Sequence, residues 1–207
     1  MHTLSWPAIL FCVDAVVFLW SAIGCHDWFT WALEVFPAVI GAAVLIRLYP
    51  KFRFTNLVYT FIALHAVILM IGGHYTYAQM PLFNWVRDTF HQSRNHFDRV
   101  GHFAQGFVPS LIAREVLLRT TSLRRGKLLT WLILSSSMAI SALYELLEFA
   151  VAMATGSAAD AFLGSQGDIW DTQWDMTFCL IGTLTMLAIM GHFHDRALAR
   201  MKEKSGF

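Results

Sequence analysis

Six apolar stretches follow one another along this chain, each close to the roughly 20 residues that a helix needs to cross a bilayer. They run over residues 6–24, 29–48, 54–73, 100–118, 128–154 and 174–193. In lipid every backbone N–H and C=O must be satisfied within its own segment, so these runs predict helices. The expected fold is all-α: a polytopic membrane helix bundle of about six transmembrane helices, one domain over residues 1–207. Composition agrees. Charged residues make up 14% and hydrophobic ones 57%, whereas a soluble domain carries about 25% charged residues to coat its surface. Disorder is excluded, because disordered chains are poor in apolar residues. The net charge of +1 and the lack of a large basic patch argue against nucleic acid as a partner. Membrane lipid is the expected partner. The first run is not expected to be a cleaved signal, since no Lys or Arg precedes it and it continues for a full span.

Basic residues set the expected orientation. Arg47, Lys51 and Arg53 follow the second run, Arg119, Arg124, Arg125 and Lys127 the fourth, and Arg196, Arg200, Lys202 and Lys204 the sixth. Arg114 is expected to snorkel to the same side, with Glu115 beside it at the end of the fourth run. Only Arg87, Arg94 and Arg99 lie opposite. The positive-inside rule then puts both termini in the cytoplasm and the loops 25–28, 74–99 and 155–173 outside. Residues 195–207 form a cytoplasmic tail. Trp6 and Trp131 mark the inner interface; Trp28, Trp31, Trp85, Trp170 and Trp174 mark the outer one. Within the outer loop 81–97, Leu82, Phe83, Trp85, Val86 and Phe90 fall at near-helical spacing, as in a short interfacial helix; a plain ordered loop is the alternative.

Ionisable groups inside a span are costly, so each is a candidate for function. At about 1.5 Å of rise per residue, Glu34, His102, Gln105, Glu145, Glu148, Asp171 and Asp175 fall at similar depth in the outer leaflet. Asp98, His102 and Gln105 are spaced i, i+4, i+7 and share a helical face. Glu145 and Glu148 are i, i+3; Asp168, Asp171 and Asp175 are i, i+3, i+7. Turned inward, these stripes meet in one outward-facing acid and histidine pocket. Carboxylates with an imidazole can hold a divalent metal ion: hard oxygens favour Mg, Ca or Mn, and the histidine admits Zn or Fe. His102, Glu145, Glu148, Asp171 and Asp175 are the candidate metal ligands. His102, Glu145 and Glu148 are the candidate catalytic acid and base groups. Arg99, Gln105 and Glu34 are the candidate ligand contacts, Arg99 toward an anion. His91 and His96, in the preceding loop, could complete the site.

Each residue also has a structural reading. The glutamates could pair with Arg99, Asp98 could cap the fourth helix, and Asp168 or Asp171 could cap the sixth. Gln105 could bridge helices. Asp14 and His65 stand alone in mid-span, as an interhelical contact or a proton path. His192 and His194 read as interfacial. Cys12, Cys25 and Cys179 form no CxxC and read as small buried hydrophobes. Nothing points to haem, flavin or nucleotide, because no glycine loop could cradle a phosphate.

The stretches Asn95–Phe107, Tyr144–Phe149 and Gly167–Met176 resemble the YjdF-type bacterial inner-membrane proteins, and the resemblance covers essentially the whole chain. It implies the bacterial inner membrane and no particular chemistry. The order Asp98-Arg-x-x-His102, Glu145-x-x-Glu148, Asp171-x-x-x-Asp175 and then Gly182 is more distantly similar to VanZ-like membrane proteins, linked to lipoglycopeptide resistance. Arg99, Glu148 and Asp175 stand here where lysine, glutamine and asparagine are usual there. The pocket is thereby more acidic, which favours a metal. Three functions fit: metal-assisted chemistry on an envelope lipid or its phosphorylated head group, a non-catalytic accessory that binds a head group or partner, and a small ion-coupled transporter.

Overall fold

The computed structural model describes residues 4–156 and 160–205. Residues 157–159 of the expected loop 155–173, and residues 206 and 207 of the expected tail, lie outside the described residues. The helices are α1 (Trp6–Ala22), α2 (Trp28–Leu48), α3 (Asn56–Tyr75), α4 (Pro81–Thr89), α5 (Phe97–Thr120), α6 (Lys127–Thr155), α7 (Asp160–Leu163), α8 (Asp171–Thr185) and α9 (Gly191–Ser205). A π-helical turn, Met186–Met190, joins α8 to α9 without a break. Among the described residues the secondary structure is entirely helical.

Helix ends follow local chemistry. Asp27 caps α2 by accepting the Thr30 N–H at 2.6 Å. That bond from the Thr30 backbone holds its carboxyl below the usual carboxylate range. Thr55 caps α3 through the Val58 N–H. Pro81 opens α4, where its missing N–H costs nothing.

Four helical stretches are long and apolar enough to cross a membrane: Trp28–Leu48, Asn56–Tyr75, Lys127–Thr155 and the continuous Asp171–Glu203. α1 is apolar but has 17 residues. α5 has 24 residues and carries Asp98, Arg99, His102, Arg114, Glu115 and Arg119. Its charge is explained by its place. α5 is the central helix, packed on α3, α6, α8 and the π turn, while α1 and α2 pack on α3.

Burial runs opposite to that of a soluble protein. Val16, Leu19, Trp131, Leu143 and Phe149 are exposed, while Glu115 and His194 are completely buried. Apolar side chains facing outward and ionisable ones facing inward suit a bundle solvated by lipid. Cys12 is exposed and Cys25 half-buried, so only Cys179 fits the expectation of a buried thiol.

α5 and α8 run parallel from the same end. A Cβ on Gly106 would collide with the Cys179 carbonyl oxygen, and one on Gly182 with the Phe103 carbonyl oxygen. The two glycines therefore allow backbone to touch backbone. Beside them, Ser137 Oγ lies 2.6 Å from Thr183 Oγ1, and Ser110 Oγ donates to the same oxygen at 3.1 Å. This contact fixes the relative height of the two helices that carry Asp98, Asp171 and Asp175.

The basic end is pinned by a second polar network. Glu115 Oε1 accepts the Thr55 N–H at 2.9 Å and Arg119 Nη1 at 2.6 Å. Its Oε2 accepts the Thr55 hydroxyl at 2.8 Å and faces His194 Nε2 at 2.9 Å. Arg114 donates to His194 Nδ1 at 2.7 Å and to Asp195 at 2.7 Å. Because arginine can only donate, His194 Nδ1 is the acceptor, and its Nε2–H is the donor to Glu115. His194 is therefore not the interfacial residue expected, and Arg114 does not snorkel. The π turn carries the helix past the end of α5 and brings both His194 and Asp195 onto it.

Candidate functional site

At the other end of the bundle, seven carboxylates gather round two arginines and a histidine. α5 begins there with Asp98, Arg99 and His102; α8 begins with Asp171 and Asp175; α6 brings Glu145 and Glu148 from its C-terminal half. Asp168 precedes α8, and Glu34 comes from α2.

Arg94 and Arg99 tie the aspartates together. Arg94 Nη1 lies 2.5 Å from Asp171 and 3.5 Å from Asp168. Arg99 Nη2 reaches Asp171 at 2.6 Å, while its Nη1 reaches Asp98 at 3.1 Å and also pairs with Asp175. Both guanidiniums are about 6% exposed. Arg99, expected to contact an anion, is thus engaged by four aspartates, Asp168 among them at 3.6 Å. Arg94, not singled out from the sequence, further anchors the loop before α8 by donating to the Ser165 and Gly164 carbonyls. Asp98 does not cap α5. His96 holds the N-cap position, and Asn95 Oδ1 accepts the Phe97 N–H. Asp168 accepts the Trp170 N–H just before α8.

His102 is the hinge of the arrangement. Its Nδ1 lies 3.0 Å from Gln105 Oε1, an acceptor, so Nδ1 carries the proton. Its Nε2 then faces Asp98 Oδ1 at 3.3 Å and Asp175 Oδ1 at 3.4 Å. One ligand atom from each of these three residues lies within 4.8 Å of the others. Ligands about 2.1 Å from a shared ion sit roughly 3.0–3.4 Å apart, which the two distances from Nε2 match. Gln105 holds the imidazole in the tautomer that frees Nε2, the usual outer support of a metal-bound histidine. An imidazolium proton would occupy the same place. Glu145 Oε1 lies 4.0 Å from His102 Nδ1, buried with no hydrogen-bond partner. Glu148, 9% exposed, makes no hydrogen bond to another described residue.

A cavity of about 190 Å³ opens beside the cluster, with Glu34, Asp98, His102, Gln105 and Glu148 on its polar side. His65, Tyr77 and Tyr144 also line it. The Tyr144 hydroxyl donates to Glu34 at 3.4 Å. Tyr77 takes its place because Gly72 and Gly101 leave room for its ring. His65 belongs to this cavity rather than standing alone, and its buried Nε2 has no partner. Asp14 is not among the lining residues, although its Oδ1 is likewise buried and unpartnered. His91 is exposed. His96 is half-buried; burial first, then Arg94 and Arg99, keeps its imidazole below the usual histidine range and neutral at pH 7.

The chain matches, over residues 6–196, the family described as predicted membrane protein (DUF2238). The Inner membrane protein YjdF of Escherichia coli (strain K12) is 45% identical over 185 residues, covering 89% of this chain and 88% of the relative. The expected YjdF-type resemblance is borne out. No solved structure matches the chain.

Proposed function

Because the chain belongs to the DUF2238 family of predicted membrane proteins, we propose that it is a six-span inner-membrane protein with both termini in the cytoplasm, whose acidic end holds a divalent metal ion and acts on an envelope lipid or its phosphorylated head group. The observation that carries this reading is the convergence of His102 Nε2, Asp98 Oδ1 and Asp175 Oδ1 within 4.8 Å, with Glu145 Oε1 buried and unpartnered beside them. Seven acids against two arginines leave buried negative charge that a bound cation would offset in place of protonating the carboxyls. The relative's name supports the inner membrane, and the basic residues at the opposite end of the bundle support the orientation. α1 and α5 complete the six spans, the first short and the second shielded by its neighbours.

In this reading Asp98, His102 and Asp175 hold the metal, with Asp171 aligned by Arg94 and Arg99. A metal held there would supply a Lewis acid for a phosphoryl oxygen, so the anion contact expected of Arg99 would pass to it. Arg99 instead positions Asp171 and Asp175. Glu148, with no hydrogen bond to another described residue, would be the base that takes the proton of the water or hydroxyl attacking phosphorus, while the P–O bond to the leaving group breaks and that oxygen takes a proton from water. Glu34 and Tyr144 shape the wall of the cavity.

Replacing Glu148 with glutamine is expected to abolish turnover of a phosphorylated envelope lipid while metal content and thermal stability stay unchanged. Mass spectrometry of the lipid, after incubation with metal-loaded protein, reads this. Full turnover by the variant would remove Glu148 from the reaction. A non-catalytic accessory role is the second reading. It is favoured by one observation: both arginines nearest the cavity are already paired with aspartates. A lipid that co-purifies chemically unchanged, with no turnover by the natural protein, would support it.

A further inference from the structure

We propose that the groove at the basic end of the bundle binds the anionic head group of a phospholipid. The groove, about 870 Å³, lies between the start of α1, the start of α3 and α9. Arg53, Arg196 and Arg200 line it. Among the described residues none of the three pairs with a carboxylate, in contrast to Arg114, Arg119 and Arg125 close by, each of which does. Arg53 is held over the Tyr49 ring at 4.7 Å, and its backbone carbonyl accepts Arg119. Tyr59, 7% exposed, also lines the groove, and its buried hydroxyl has no hydrogen-bond partner of good geometry.

The occupant must match two chemistries. Three uncompensated guanidiniums with a spare hydroxyl suit a phosphate. Trp6 and Phe193, exposed and lining the same groove, suit acyl chains rather than water. A free phosphate would satisfy the first and leave the second unused; a phospholipid satisfies both. Basic pockets between membrane helices recognise anionic lipids in this way. The inference does not rest on the reading of the acidic end, which lies at the far end of the helices.

The test is native mass spectrometry of the full chain with phosphatidylglycerol and phosphatidylcholine, beside the variant Arg53→Gln/Arg196→Gln/Arg200→Gln. Among the described residues their side chains make no ion pair, so the variant should remain folded, as its thermal transition in detergent will report. The natural protein is expected to retain phosphatidylglycerol over phosphatidylcholine by at least about tenfold, and the variant to lose that preference. Equal retention of both lipids, or a preference that survives in the variant, would overturn the proposal. Displacement of the bound lipid by millimolar inorganic phosphate alone would assign the groove to a free anion and overturn it as well.

Discussion

Arg99→Ala is expected to destabilise the bundle by about 3–5 kcal/mol, the scale for removing one partner of a buried ion pair. Arg99 compensates Asp98, Asp171 and Asp175 together from a position 5% exposed. Arg94 still reaches Asp171, Asp168 and Asp98 but has no contact with Asp175. Its loss therefore strands Asp175, 2% exposed, with only His102 for a cation. Thermal unfolding in detergent should show the drop. Arg99→Lys should restore only part of it, because an ammonium cannot present a planar fork to two carboxylates. Adding Asp175→Asn to Arg99→Ala should regain much of the loss, since the stranded charge is then gone. Indifference of the protein to Arg99→Ala would mean that the aspartates do not share a buried charge balance.

The second large effect is expected at the basic end. Glu115→Leu removes the acceptor of four donors: the Thr55 N–H and hydroxyl, Arg119 and His194. All but Arg119 are buried. Orphaned buried donors cost about 1–3 kcal/mol each, so about 3–5 kcal/mol for the three buried ones is a conservative expectation. The entry to α3 should loosen too, because Thr55 is its cap. Glu115→Gln should fall between, keeping one acceptor oxygen and turning the other into a donor aimed at donors. A transition temperature unchanged in Glu115→Leu would contradict the network.

Much of the bundle can be read from the sequence because lipid imposes one rule on every span. Apolar runs give α2, α3 and α6 to within about three residues at each end, since only a helix satisfies its own backbone there. The grouping of Glu34, His102, Glu145, Glu148 and Asp175 at one end follows from depth alone, at a fixed rise per residue. What depth cannot give is the partner. Arg94 and Asp171 are 77 positions apart, and no periodicity links residues on different helices. His65 lies deeper along its helix than the acids, so depth separated it from a cavity that reaches down to it. Tyr77 and Tyr144 read as apolar rings, and their hydroxyls are the signal that was available. His194 sits among basic tail residues and reads as surface. It is buried because α8 continues through a π turn, and nothing in Met186-Leu-Ala-Ile-Met190 announces one.

The central claim is that His102, Asp98 and Asp175 hold a divalent metal ion. Elemental analysis of the detergent-purified protein tests it most directly, run beside His102→Asn and Glu145→Gln/Glu148→Gln variants that unfold at comparable temperatures. The account predicts close to one metal ion per chain in the natural protein, lost in His102→Asn and weakened in the glutamine pair. Metal absent from the natural protein, even after equilibration with Mg, Mn, Zn and Fe, would contradict it and leave Arg99 and the imidazolium of His102 as the cations between the two aspartates.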